Sequence, residues 1–228
     1  MLPYAKFTII HQGTCAVFVQ TVLYYEGATM ILNHVWGLYA HPQKAWKTIG
    51  TRNESLRFAL SHLLLLAFIP AGSAYYASVH LGWNIGIQNN IHLSPDSALI
   101  MAVFMYIGLL AGVLALAYLV HWMSKTFGAE TNFKQSLELA AYTATPVLMA
   151  GVAAFYPELW FVSLVFLGGI AYSVYLLYSG VPILMNIPEE RGFMYASSVV
   201  TAGLILMVIL MVTSAIAWTN GFAPVFVQ

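Results

Sequence analysis

Glu138-Leu-Ala-Ala-Tyr142-Thr-Ala-Thr145-Pro146-Val-Leu-Met-Ala-Gly151 is apolar enough to lie in a bilayer, yet it holds an acid, a tyrosine, two threonines and a proline. A proline inside a helix has no N–H to give, and its ring clashes with the carbonyl four residues earlier. Here that carbonyl belongs to Tyr142. In hydrocarbon a freed carbonyl is costly unless a hydroxyl, a water or another helix re-satisfies it. The pattern returns at Tyr178-Ser-Gly-Val-Pro182, where Pro182 frees the carbonyl of Tyr178. Two neighbouring helices are therefore expected to be kinked and to need each other.

Composition sets the class. The chain has 228 residues, 61% hydrophobic and only 7% charged, with a mean hydropathy of +0.79. A soluble domain carries about 25% charged residues, so this is an integral membrane protein. The formal net charge is zero, and no basic surface suggests nucleic acid. A single cysteine, Cys15, leaves no internal disulfide and no cysteine-based metal cluster.

Hydropathy predicts an all-α membrane protein with five transmembrane helices, at 58–80, 97–123, 136–156, 159–183 and 195–218. Each can cross an apolar core of about 30 Å at about 1.5 Å per residue. From residue 30 onward, Lys44, Lys47, Arg52, Arg57, Lys125, Lys134 and Arg191 all fall on one side of these spans. Basic loops stay inside, so the N-terminus is expected to be cytoplasmic and the C-terminus on the opposite side of the membrane.

Residues 30–57 read as a short cytoplasmic amphipathic segment ahead of the 58–218 bundle, with 219–228 as a tail. Trp36 and Tyr39 share one apolar face, and the His41-Pro42 step ends that turn. Pro42 then opens a second short helix, with Trp46 and Ile49 on one side and Lys44 and Lys47 on the other. Aromatics opposite lysines describe a helix resting in the headgroup layer. Thr51-x-x-Glu54 fits a capping box for the helix that follows. Residues 1–29 hold Lys6, His11, Gln12, Gln20 and Glu26, which break any long apolar run. They read as a tail or an upstream extension, with Met30 as the natural start.

Spans three and four are joined only by Tyr156-Pro157-Glu158, which requires an antiparallel hairpin. Counting equally from Pro157 puts Tyr142 level with Tyr172, and Pro146 level with Gly168. On span three, Glu138, Tyr142, Thr145, Met149 and Tyr156 form one stripe. On span four, Gly168, Tyr172, Tyr175, Ser179 and Pro182 do the same at helical spacing. The two stripes are expected to face each other as a polar seam that holds a partner helix or lipid. Gly108-x-x-x-Gly112 in span two predicts a close contact between helices of this chain.

Few residues suggest chemistry. Glu138 is the only Asp, Glu, Lys or Arg inside a predicted span, and such groups are functional candidates. Its place near a helix start favours a plainer role, a carboxylate favoured by the helix dipole near the cytoplasmic interface. His62 and His121 lie at similar depth and, with Glu138, could bind a metal or relay a proton. The plainer reading, interfacial histidines bonded to backbone or headgroups, is preferred. No nucleophile elbow, phosphate loop or His-Glu-x-x-His is present.

Trp36-Gly-Leu-Tyr-Ala-His41-Pro42, Ala-Tyr142-Thr-Ala-Thr-Pro146 and Tyr-Leu-Leu-Tyr178-Ser-Gly-Val-Pro182, in order and with five spans, resemble the Yip family. His34-Val-Trp-Gly-Leu-Tyr-Ala-His-Pro42, Leu81-Gly-Trp-Asn-Ile-Gly86 and Ala153-Ala-Phe-Tyr-Pro157 are similar to its bacterial inner-membrane branch. The resemblance implies five spans, a cytoplasmic N-terminus and an exoplasmic C-terminus. Eukaryotic members associate with Rab GTPases and carry an acidic-Leu-Tyr-Gly-Pro motif. This chain has Leu38-Tyr39-Ala40-His41-Pro42 with Gly37 in the acidic position, which speaks against a GTPase partner. The expected function is a non-enzymatic membrane organiser or adaptor that needs no cofactor and no metal. Its expected partners are membrane lipids together with a membrane protein or a second copy. The alternative is a transporter of lipids or small molecules along the seam.

Overall fold

The structure, a computed structural model, describes residues 36–51, 56–84, 90–129 and 131–227. The expectations for residues 1–35, and for Glu54 as half of a capping box, lie outside the described residues. Thr51 is the last residue of its helix, and its hydroxyl lies within hydrogen-bond distance of the carbonyls of Lys47 and Thr48, one turn back.

A helical turn at 36–40 leads into α1 (Pro42–Thr51). Five long helices follow: α2 (Leu56–Tyr76), α3 (Pro95–Ser124), α4 (Phe133–Ala150), α5 (Leu159–Leu184) and α6 (Glu189–Ala217). With their terminal turns, all five are long and apolar enough to cross a membrane. Several begin before hydropathy would start them, because polar caps fall outside the apolar run. The Ser94 hydroxyl accepts from the Ser97 N–H at 3.4 Å, with Pro95 at the first helical position. Asn132 and Gln135 form a capping box, the Gln135 side chain accepting from the Asn132 N–H at 3.1 Å. Satisfying these orphan N–H groups starts a helix without hydrophobic residues.

The most polar span is the innermost one. In its most apolar window 78% of α4 is buried, against 44% for α2 and 11% or less for the other three. Helices α2, α3 and α5 surround α4, and α6 packs outside against α3 and α5. One apolar cluster joins α1, α4, α5 and α6 through Trp46, Tyr142, Leu176 and Tyr195, and the Tyr195 hydroxyl donates to the Val120 carbonyl of α3. A second joins α2, α3 and α4 through Leu63, Ala117, Leu137 and Ala141.

Small residues set the closest approaches. A Cβ on Gly151 would lie 2.5 Å from the Pro70 Cα of α2, and Ser73 ties the same crossing by donating to the Gly151 carbonyl at 2.7 Å. A Cβ on Gly112 would meet Leu210 of α6 at 3.2 Å, so Gly108-x-x-x-Gly112 does make an intramolecular contact. At the end of the bundle away from α1, strands β1 (His92–Leu93) and β2 (Phe226–Val227) pair antiparallel, and Asn84 donates to Glu158 at 3.0 Å.

The α4–α5 hairpin corrects the expected seam. Gly169, not Gly168, faces the Pro146 kink: a Cβ on Gly169 would lie 3.1 Å from the Pro146 carbonyl oxygen, whereas one on Gly168 would meet nothing within 4 Å. Equal counting from Pro157 assumes α-helix throughout, but Gly151–Phe155 is a 3₁₀ turn. Five residues at about 120° rather than about 100° each rotate the face by roughly 100°, which is one residue's worth of slip.

Replacing these glycines by alanine should separate the two registers. Gly168→Ala is expected to be neutral or slightly stabilising, since alanine is the better helix former by up to about 1 kcal/mol. Gly169→Ala and Gly151→Ala are expected to lose about 1–3 kcal/mol by overpacking, Gly151→Ala the more because it meets backbone. Unfolding titrations in mixed micelles would read the difference; equal stability for all three would refute the packing described.

Candidate functional site

The polar stretch of α4 is covered mainly by the chain's own side chains. Thr143 donates to the Leu139 carbonyl at 2.7 Å, and Thr145 lies 3.2 Å from the carbonyl of Ala141. These hydroxyls therefore engage carbonyls in the turns just before Pro146. His62, wholly buried in the second turn of α2, places Nε2 at 3.0 Å from the Thr145 hydroxyl oxygen. A hydroxyl has one proton to give. If Thr145 gives it to Ala141, His62 must donate through Nε2–H. The imidazole also lies against Tyr142, with ring centroids 4.8 Å apart.

Two plain expectations are overturned. His62 is not interfacial; it bonds a threonine in the bundle interior. Glu138 is not in the first turn of its helix, because α4 starts at Phe133. Its carboxylate is 3% exposed and lies 3.8 Å from the Lys134 Nζ, one turn earlier. The loss of hydration on burying a carboxylate calls for such a partner. His121 stays at the rim with its ring edge-on to Phe133 at 6.0 Å. Among the described residues no three His, Cys, Asp or Glu side chains gather as a metal site.

The α1 segment is the larger correction. Leu38, Trp46 and Ile49 are buried in protein rather than offered to headgroups. The Trp46 indole fills a slot over Gly180 of α5, where a Cβ would lie 2.6 Å from the ring, and it meets Tyr142 edge-on at 6.4 Å. Tyr172 clamps the preceding turn, its hydroxyl donating to the Leu38 carbonyl at 2.9 Å while its ring stacks on Tyr39 at 5.3 Å. Burial first, and Tyr172 second, push the Tyr39 hydroxyl above its ordinary value, so it is neutral at physiological pH. Trp36, Lys44 and Lys47 remain exposed, and Pro42 is half-buried.

The predicted residues therefore divide. Tyr142 faces His62 and Trp46, Thr145 faces His62, and Tyr172 holds α1. Met149 and Tyr156 line an apolar hollow of ≈ 400 Å³ at the opposite end of the hairpin. Tyr175 is half exposed. Ser179 and Pro182 line a groove of ≈ 670 Å³ beside α1, together with Lys47 and Glu190. Sequence reasoning missed Gly180 as the seat of Trp46, and Pro70 and Ser73 as the partners of Gly151. A tryptophan spaced for an amphipathic helix and a glycine in a distant span carry no mutual signal.

This arrangement runs through a region that can be matched to known proteins. Residues 36–210 match the model of the Yip1 domain. The chain belongs to the Yip family. Inner membrane protein YohC of Escherichia coli strain K12 is 33% identical over 192 residues, covering 84% of this chain and 98% of that protein. YohC of Escherichia coli O6:H1 aligns with the same identity and coverage. No solved structure matches. The family match spans both the α1 segment and the kinked hairpin, so the Trp46 contact lies within the Yip1 domain rather than on an appendage.

Trp46→Ala should cost about 3–5 kcal/mol if α1 stays in place over the hole. If α1 is released instead, trypsin should cut faster after Lys44 and Lys47 while the five spans stay intact. Tyr172→Phe removes one hydrogen bond and should cost about 0.5–1.5 kcal/mol. Tryptic mapping with an unfolding titration checks both; unchanged cleavage together with unchanged stability would refute the docking role of Trp46.

Proposed function

We propose that this protein is a non-enzymatic organiser of the bacterial inner membrane, an adaptor that binds a protein partner or lipid at its basic end. The observation that carries this reading is the docking of α1. Trp46 and Tyr172 hold a segment bearing exposed Trp36, Lys44 and Lys47 as a firm surface on the bundle. An adaptor needs such a preorganised surface. Inside the bundle, His62, Thr145, Tyr142 and Glu138 lie against the chain's own groups, which suits a structural seam. The likeness to the YohC proteins, which are named inner membrane proteins, supports the location.

The expected orientation puts the α1 end in the cytoplasm and Gln228 in the periplasm, because the Lys and Arg from residue 30 onward lie on the α1 side of the spans. A reporter fused after Gln228 should be active only in its periplasmic form; activity of a cytoplasm-only reporter there would contradict the orientation.

One observation favours a second reading, transport of a lipid or small molecule along the seam. Intramembrane ionisable groups mark pathways, and buried Glu138 and His62 are such groups. Reconstitution separates the two. A stoichiometric protein partner, cross-linked in native membranes and lost in Trp36→Ala with Lys44→Gln and Lys47→Gln, is the adaptor result. Solute or lipid flux in liposomes that Glu138→Gln abolishes is the transporter result, and would overturn the first reading.

A further inference from the structure

The groove of ≈ 670 Å³ lies between α1 and the corner where α5 gives way to α6. Its polar lining is of both signs. Lys47 stands on the α1 side with Gln43 beside it, and Glu189 and Glu190 stand on the α6 side. Ile183, Ile187 and Phe193 make an apolar wall running toward the spans. Arg191, next in sequence, does not join the groove; its guanidinium lies toward Gly128, 3.1 Å from where a Cβ on that glycine would be. Among the described residues the groove therefore offers one cation, two carboxylates and an apolar side, beside the end of α5 and the start of α6.

We propose that this groove holds the headgroup of a zwitterionic phospholipid carrying a primary ammonium, of the phosphatidylethanolamine class. The proposal deepens the adaptor reading by naming a lipid at its basic end. Each chemical part of the ligand has a counterpart. Lys47 and Gln43 donate to the phosphate. Glu189 and Glu190 accept from the ammonium, whose three N–H groups can serve both carboxylates. Ile183 and Phe193 cover the glycerol and the first methylenes, which descend along α5 toward the membrane.

The charge count selects among lipids. Among the described lining residues, two carboxylates stand against one lysine, an excess of negative charge that repels an anionic headgroup such as phosphatidylglycerol. The volume falls within the range of about 300–1,000 Å³ usual for small-molecule sites, enough for headgroup and glycerol together. A quaternary ammonium of choline type lacks N–H groups and so loses the charge-assisted hydrogen bonds to the carboxylates. Placing the groove against α1 also makes the bound lipid a contact between α1 and the bundle.

Native mass spectrometry of the full chain tests this. Protein is taken from nanodiscs with equal mole fractions of phosphatidylethanolamine, phosphatidylglycerol and phosphatidylcholine. The wild type should retain phosphatidylethanolamine about tenfold over the other two, the ratio expected of one charge-assisted contact set. Lys47→Gln should lower that retention. The double variant Glu189→Gln/Glu190→Gln should abolish the preference, and both variants should fold as the wild type does because these side chains are exposed. Equal retention of the three lipids by the wild type would overturn the proposal. So would a preference for phosphatidylethanolamine that survives the double variant. Neither failure touches the adaptor reading, which the protein cross-linking experiment decides separately.

Discussion

A helix that carries a glutamate, a tyrosine, two threonines and a proline cannot present that face to hydrocarbon, and the bundle is built around keeping α4 out of it. Every backbone polar group at that depth must be satisfied by protein. The threonine hydroxyls turn onto carbonyls before Pro146, His62 reaches Thr145 from α2, and Lys134 approaches Glu138 from one turn away. Helices α2, α3 and α5 shield α4, while α3, α5 and α6, apolar nearly all round, face outward. Lipid offers no hydrophobic drive for helix association, so close packing has to supply it. Gly151, Gly169, Gly180 and Gly112 supply the closeness, and each is met by a different neighbour: a proline, a kinked backbone, an indole and a leucine.

Trp46 extends this logic beyond the spans. By seating on Gly180 and touching Tyr142, it makes α1 part of the same core that shields α4. Local order at the basic end is thus tied to packing in the middle of the bundle. A ligand or partner that grips α1 or the neighbouring groove acts on a segment coupled through Trp46, Tyr142 and His62 to the kinked helix. The coupling consists of packed contacts, Trp46 edge-on to Tyr142 at 6.4 Å and His62 against Tyr142 at 4.8 Å.

Much of the fold was legible because hydropathy is local. The five spans, the short hairpin loop and the polar character of the third span all stand in single stretches of sequence. The seam was only half legible. Tyr142 and Thr145 do point inward, but the α5 face was read one residue off because a 3₁₀ turn at Gly151–Phe155 changes the phase. The α1 segment is ambiguous in sequence for a different reason. An apolar face opposite lysines fits a bilayer surface and a protein surface equally well, and amphipathicity does not say which one covers it. Hydropathy starts the third span at residue 136 and so puts Glu138 at the interface, because it does not register the Asn132–Gln135 cap.

By itself the sequence determined how many helices can cross a membrane, which of them carries the polar groups, and which end carries the lysines and arginines. These follow from the cost of exposing polar groups to hydrocarbon, a property of each segment alone. Tertiary structure decided what covers those polar groups. His62 meets Thr145 across 83 positions, and Tyr172 holds Leu38 across 134. Such pairings depend on helix phase and on the fit of volumes from distant segments, and no single stretch of chain contains either quantity.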